Sequence, residues 1–85
     1  MKFFVQIDVM PLKNLLDPQG KAVTMTLKNL GYKETDNVRI GKHIDMTIDA
    51  TDETAAKQTA EEIARKVLSN PIMEYFSLTV KAENN

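Results

Sequence analysis

Residues 38–50 read VRIGKHIDMTIDA, and their apolar side chains fall on even-numbered positions without a slip of phase. A period of two is typical of a strand that buries one face. A two-residue hairpin would pair Ile40 with a polar residue, whereas a three-residue loop that begins at Gly41 pairs Ile40 with Ile44. One strand bent at Gly41 keeps the same phase. The segment therefore predicts either a hairpin or one bent strand.

Strands of the same kind are predicted near both ends of the chain. The apolar side chains between Phe3 and Val9 occupy odd positions, and those between Phe76 and Val80 alternate with polar ones. Because each segment has one apolar and one mainly polar side, each predicts a half-buried strand.

Two helices are predicted between these strands. Asp17 caps the first with its carboxylate, and the helix runs from Pro18 to about Leu30. The second begins after Thr51 or Asp52 and ends at Asn70-Pro71, since a proline disfavours helical conformation in the residue before it. Residues that recur every three or four positions form the predicted buried stripe of the first helix: Val23, Leu27 and Leu30.

The element order predicts a single α+β domain over residues 1–85. Two helices would pack on one face of a mainly antiparallel sheet in the order β-α-β(β)-α-β, a ferredoxin-like arrangement. Phe4, Met10, Met73 and Tyr75 fall in the phase of the other sheet face, and Met25 lies opposite the stripe of its helix. We expect the chain to form oligomers through that other face, with these five residues as contacts.

The composition excludes several classes of protein. The 85 residues include no cysteine and one histidine, which removes thiol nucleophiles and leaves little for a metal site. The net charge of −1 disfavours nucleic-acid binding. There is no run of about 18 apolar residues that would span a bilayer, and the alternating N-terminus is unlike a signal peptide. We expect a cytoplasmic protein with no catalytic site, metal or cofactor of its own.

Few residues suggest chemistry. His43 and Asp45 share a strand face, but a solvated polar pair is the simpler interpretation. Gly20-Lys21 and Gly41-Lys42 are similar to the end of a phosphate loop, yet both lack its first glycine and its final Ser or Thr. Lys21, Arg39 and Lys42 remain candidates for a small basic cluster that binds a phosphate-bearing ligand or an acidic partner. Glycine has a low helix propensity, so Gly20 is unfavourable in the first turn of a helix. Close packing at that position is a common reason for such a residue.

Three blocks of the sequence, taken together, resemble the PurS family, the small subunits of phosphoribosylformylglycinamidine synthase. They read LDPQGKA at 16–22, VRIGK at 38–42 and NPIMEY at 70–75. The resemblance covers nearly the whole chain, and the first two blocks are the more distinctive.

The resemblance implies a non-catalytic subunit of an ATP-dependent, glutamine-dependent carbon-nitrogen ligase of purine biosynthesis. Such a subunit bridges a glutaminase (PurQ) and a synthetase (PurL), supports ammonia transfer between them, and forms a homodimer or a dimer of dimers. ATP and magnesium would be used on the synthetase. The matching residues carry an implied partner-contact role: Asp17, Gln19, Gly20, Lys21, Arg39, Gly41 and Lys42.

A rival interpretation is a free-standing ferredoxin-like dimer that binds a regulatory ligand. Such a domain needs a loop rich in glycine and aspartate after its first strand. Residues 10–16 read MPLKNLL and match that requirement poorly. Reconstitution distinguishes the two interpretations. A subunit is active only together with its partners, whereas a sensor binds its ligand alone.

Overall fold

The computed structural model describes residues 1–83, so the last two residues of the predicted domain lie outside the described part of the chain. The elements are β1 (Lys2–Pro11), α1 (Pro18–Asn29), β2 (Lys42–Asp49), α2 (Glu53–Ile63), a π-helical turn (Ala64–Leu68) and β3 (Glu74–Ala82). The strands lie in the order β2-β1-β3, with both pairs antiparallel. The predicted α+β class and the order β-α-β-α-β are confirmed.

The register of the sheet gathers the apolar side chains on one face. Ile7 of the central strand lies opposite Ile44 of β2 and Leu78 of β3. Val5 and Val9 point to the same face, and all three β1 side chains are fully buried. The alternation predicted for β1 and β3 is therefore confirmed, because it places these residues in one core.

Helix α2 covers this face at close range. The Asp52 carboxylate accepts a hydrogen bond from the amide of Ala55 at 2.7 Å and caps the helix. Ala56, Ala60 and Ala64 are fully buried, and their small side chains allow the helix backbone to approach the sheet. The π-helical turn closes the helix before Asn70-Pro71, as predicted from the proline.

The second strand begins only at Lys42, so residues 38–41 form neither a hairpin strand nor part of a bent strand. Backbone amides of this segment donate hydrogen bonds to side chains of α1 and of its N-cap residue. The amide of Val38 donates to the Thr24 hydroxyl at 3.4 Å, and the amide of Ile40 donates to the Asp17 carboxylate at 2.9 Å. Amides engaged in this way do not pair with a neighbouring strand.

Helix α1 projects from the sheet instead of burying its apolar stripe. Gly20 is its only buried residue, whereas Val23 is 37% and Leu30 is 69% exposed. The expectation that this stripe is buried is wrong for the single chain. The molecule is elongated, with extents of 51, 30 and 14 Å along its principal axes. Within residues 1–83 no helix is long and apolar enough to cross a bilayer.

Candidate partner-contact site

Asp17 joins three parts of the chain at the start of α1. One carboxylate oxygen, Oδ1, accepts from the amide of Gly20 at 3.0 Å, and Oδ2 accepts from the amide of Ile40 at 2.9 Å. The bond from Ile40, followed by that from Gly20, holds the pKa of Asp17 below its ordinary value, and the charge of Arg39 acts in the same direction. The predicted helix cap is therefore confirmed, and the same carboxylate also fixes residues 38–41.

Arg39 clamps the loop that follows β1. Its Nη2 donates to the carbonyl oxygens of Pro11 and Leu12 at 2.7 Å each, and its Nη1 donates to that of Lys13 at 3.1 Å. Its Nε lies 3.9 Å from the Asp17 carboxylate. Because these donors are used inside the chain, the guanidinium of Arg39 has mainly a structural role.

Gly20 and Gly41 lie where the backbone leaves no room for a side chain. A Cβ on Gly20 would overlap the carbonyl oxygen of Val38 and would lie 2.9 Å from the carbonyl carbon of that residue. A Cβ on Gly41 would overlap the carbonyl oxygen of Val9 and the sulfur of Met10. Close packing thus explains the glycine in the first turn of α1.

Three other predicted contact residues lie on the surface. Gln19, Lys21 and Lys42 are exposed. Lys21 shares a cleft with Arg39, whereas Lys42 begins β2, opposite Val9, and does not line that cleft. Of the predicted basic cluster the structure therefore brings together Lys21 and Arg39 only.

Two clefts flank the segment Leu15–Asp17, which lines both of them. The first, of about 380 Å³, continues to Pro18, Ile40 and Met73. The second, of about 440 Å³, is lined by two lysines of α1, Lys21 and Lys28, together with Met25.

Sequence reasoning missed Leu16, which is 73% exposed between the two clefts, and Thr24, which holds Val38. A leucine pair in the loop immediately before a helix cap was the available signal for Leu16. Nothing local marked Thr24, whose partner lies fourteen residues away.

A charged cluster lies on the sheet face opposite α2. Nδ1 of His43 lies 2.6 Å from the Asp8 carboxylate, and Nε2 lies 2.6 Å from that of Asp45. These hydrogen bonds, that with Asp8 first, raise the pKa of His43 above its ordinary value. The sequence indicated Asp45 but missed Asp8, which becomes a neighbour only through the strand register.

Of the five predicted oligomer contacts, two are half-buried and three are exposed. Phe4 and Met10 are half-buried on this outer face, where Met10 lies opposite Tyr75. Tyr75 is 41%, Met73 53% and Met25 58% exposed. The centre of the face is polar, since it carries Gln6 and Thr79 besides the charged cluster. Association through this face stays a prediction.

The chain is similar to known proteins over most of its length. Residues 4–82 match the family model described as "PurS: Phosphoribosylformylglycinamidine (FGAM) synthase". The chain is 38% identical over 69 residues to the phosphoribosylformylglycinamidine synthase subunit PurS of Synechocystis sp., which covers 81% of this chain and 69% of the relative. It is 34% identical over 77 residues to that of Bacillus subtilis, with 91% of this chain and 90% of the relative covered.

Solved structures show the same fold. A crystal form of B. subtilis PurS superposes with a TM-score of 0.86 at 32% identity, over 94% of this chain and 99% of that chain. A chain in the structure of PurLQS from Thermotoga maritima also gives 0.86, at 24% identity, over 94% of this chain and 98% of that chain. The second likeness, at this identity, concerns the fold alone.

Proposed function

Because the chain belongs to the PurS family of phosphoribosylformylglycinamidine synthase subunits, which serve purine biosynthesis, we propose that it bridges a glutaminase and a synthetase. The match over residues 4–82 is the observation that carries this proposal. These 85 residues contain no cysteine, which agrees with a proposal that assigns the thiol nucleophile to a separate glutaminase subunit.

The partners are proposed to be the PurL and PurQ subunits, because the solved T. maritima assembly that contains the similar chain is named PurLQS. The glutaminase releases ammonia from glutamine, and the synthetase uses ATP and magnesium to activate the amide oxygen of formylglycinamide ribonucleotide. Ammonia then displaces that oxygen to give the amidine. This chain holds no cofactor and acts by assembly, in the cytoplasm.

The end of the molecule around Asp17 is suited to partner contact. Arg39 and Asp17 fix the loop internally, so that Leu16, Gln19 and Lys21 are presented on a rigid base. Preorganised surfaces lose less conformational entropy on binding than mobile loops do. Leu16 supplies an exposed apolar anchor, and Lys21 supplies a charge that steers an acidic partner surface.

Reconstitution tests the proposed function. The purified synthetase and glutaminase from the same cell are assayed for amidine formation with glutamine or with ammonium, each with and without this chain. We expect glutamine-dependent activity to require the chain and the chain alone to be inactive. Full glutamine-dependent activity without it contradicts the bridging role, and ligand binding by the isolated chain then favours the regulatory alternative.

A charge reversal tests the contact site. Lys21→Glu is expected to weaken glutamine-dependent activity and complex formation in gel filtration about tenfold, because Lys21 is exposed beside the cleft. Lys57→Glu is the matched control, since Lys57 is an exposed lysine on α2. Equal behaviour of the two variants contradicts a specific role for Lys21.

A further inference from the structure

The second cleft exposes a side of α1 that carries two lysines. Lys21, Met25 and Lys28 line this cleft and follow one another at spacings of four and three residues, so they lie on the same side of the helix. The apolar stripe that includes Val23 and Leu27 lies on the opposite side. A surface that packs on the stripe therefore does not cover the side that faces the cleft.

The two lysines are not paired within the chain. Lys21 and Lys28 are exposed, and neither forms an ion pair in the part of the chain that the structure describes. The carboxylates that line the cleft, those of Asp17 and Asp36, accept hydrogen bonds from backbone amides instead. The ammonium groups of the lysines are therefore available to carboxylates of another chain.

The arrangement suits the carboxylates of a protein better than a single phosphate group. An arginine fork is the usual means of binding phosphate, but the guanidinium of Arg39 in this cleft already donates to three carbonyl oxygens of the loop after β1. Lys21 and Lys28 are seven residues apart, which is about 10 Å along a helix. Two separate carboxylates match this distance, whereas one phosphate group is much smaller than it.

Exposed apolar side chains lie beside the two lysines. Met25, between them on the helix, is 58% exposed, and Leu16, which lines the same cleft, is 73% exposed. Exposed apolar side chains that share a cleft are typical of protein contact surfaces, and methionine adapts its shape to a partner. A small anion would pair with the lysines and leave these apolar side chains in water. A protein segment contacts both kinds of side chain.

We propose that the second cleft binds an acidic segment of a partner subunit, in which two carboxylates about 10 Å apart flank an apolar side chain. Lys21 and Lys28 pair with the carboxylates, and Met25 and Leu16 contact the apolar side chain between them. The inference rests on the proposed function and deepens it, because the segment belongs to one of the two larger subunits. It adds Lys28 and Met25 to the contact residues and defines the partner segment by its chemistry.

Charge reversals in the reconstituted complex test this occupant. Titration of glutamine-dependent amidine formation with the chain gives its apparent Kd for the partners. Lys28→Glu is expected to raise this Kd about tenfold, and Lys28→Glu combined with Lys21→Glu about a hundredfold, because side chains about 10 Å apart contribute additively. Lys33→Glu is the matched control, since Lys33 is an exposed lysine that follows α1 and lies outside the cleft. The control should bind as the unsubstituted chain does.

The outcomes separate this inference from the function on which it rests. An unsubstituted chain that supports no glutamine-dependent activity overturns both. An unsubstituted chain that supports activity, together with equal Kd values for the double variant and for Lys33→Glu, overturns the inference alone. The substituted lysines are all exposed, so the urea midpoints of the variants should equal that of the unsubstituted chain.

A site-directed cross-link identifies the segment without a charge reversal. Met25→Cys in this cysteine-free chain is labelled with benzophenone maleimide, assembled with both partners and irradiated; Lys57→Cys, at an exposed position of α2, is the control. We expect position 25 to label a partner peptide in which Asp or Glu residues flank an apolar residue. Labelling of a peptide without acidic residues, labelling of a second copy of this chain, or no labelling, as binding of a small anion would give, overturns the proposal. The same labelled peptide at equal yield from position 57 overturns it as well.

Discussion

Gly20→Ala is expected to destabilise the chain although alanine is the better helix former. In an unobstructed helix the exchange gains about 1 kcal/mol. Here the added Cβ would overlap the Val38 carbonyl oxygen and would lie 2.7 Å from Oδ2 of Asp17. The obstruction is backbone, and residues 38 and 40 are held by hydrogen bonds, so the contact is not relieved by rotating a side chain.

The net loss follows from two opposing magnitudes. Overpacking of this kind costs up to about 3 kcal/mol, from which the helix gain of about 1 kcal/mol is subtracted. A net loss of about 1–2 kcal/mol in the free energy of unfolding lowers the urea midpoint by roughly 1–2 M for a domain with a slope near 1 kcal/mol/M. Urea unfolding at one fixed chain concentration measures it.

Two controls isolate the cause. Thr26→Ala, at an exposed position of the same helix, should keep or slightly raise the midpoint. Gly31→Ala meets no atom within 4 Å but has a φ of +103°, so its cost is conformational strain. Hydrogen exchange should quicken at the Ile40 amide in Gly20→Ala and not in Gly31→Ala. A midpoint for Gly20→Ala at or above that of the parent chain refutes the packing explanation.

Two further predictions concern titration. His43, the only histidine of the sequence, should titrate by NMR with a midpoint above pH 6.5, and Asp8→Asn should lower that midpoint. Because the pKa of His43 is raised in the folded state, its contribution to stability is complete below pH 6.5. That contribution is lost as the pH rises through the folded pKa. A midpoint at or below 6.5 contradicts the carboxylate contacts. Asp17→Ala should lower the urea midpoint at pH 7 more than Asp52→Ala does, since Asp52 only caps a helix, whereas Asp17 also holds Ile40. The pKa of Asp17 is lowered in the folded state, so its contribution to stability is present above pH 3.8 and is lost as the pH falls through the folded pKa. Equal urea midpoints for the two variants contradict this role of Asp17. A difference between their midpoints that does not shrink in acid contradicts it as well.

The elements that the sequence predicted correctly depend on local chemistry. The caps Asp17 and Asp52 and the stop at Asn70-Pro71 act within a few residues of their own positions. The alternation in β1 also sufficed, because a central strand that buries one face shows a period of two in its own residues.

The features that the sequence did not predict depend on contacts between distant residues. Residues 38–41 carry a strand-like alternation, but the amides of Val38 and Ile40 donate to side chains of Thr24 and Asp17 and not to a neighbouring strand. The sequence indicated that Arg39 was an exposed cation. Its guanidinium in fact binds three backbone carbonyl oxygens of a loop, and backbone acceptors cannot be recognised from a sequence motif. The periodicity of α1 correctly showed a stripe, yet periodicity does not specify which surface covers it.

The first two of the three sequence blocks that carry the family resemblance meet at one junction, and their residues have two different roles there. Asp17, Gly20 and Arg39 are engaged inside the chain, where they fix the direction of α1. Gln19 and Lys21 come from the same block but face solvent. A substitution at an internal position therefore alters assembly by moving a whole helix, whereas one at an exposed position alters a single contact. Loss of assembly identifies a contact residue only when the stability of the isolated chain is unchanged, and this makes Lys21 a sharper probe of partner binding than Arg39.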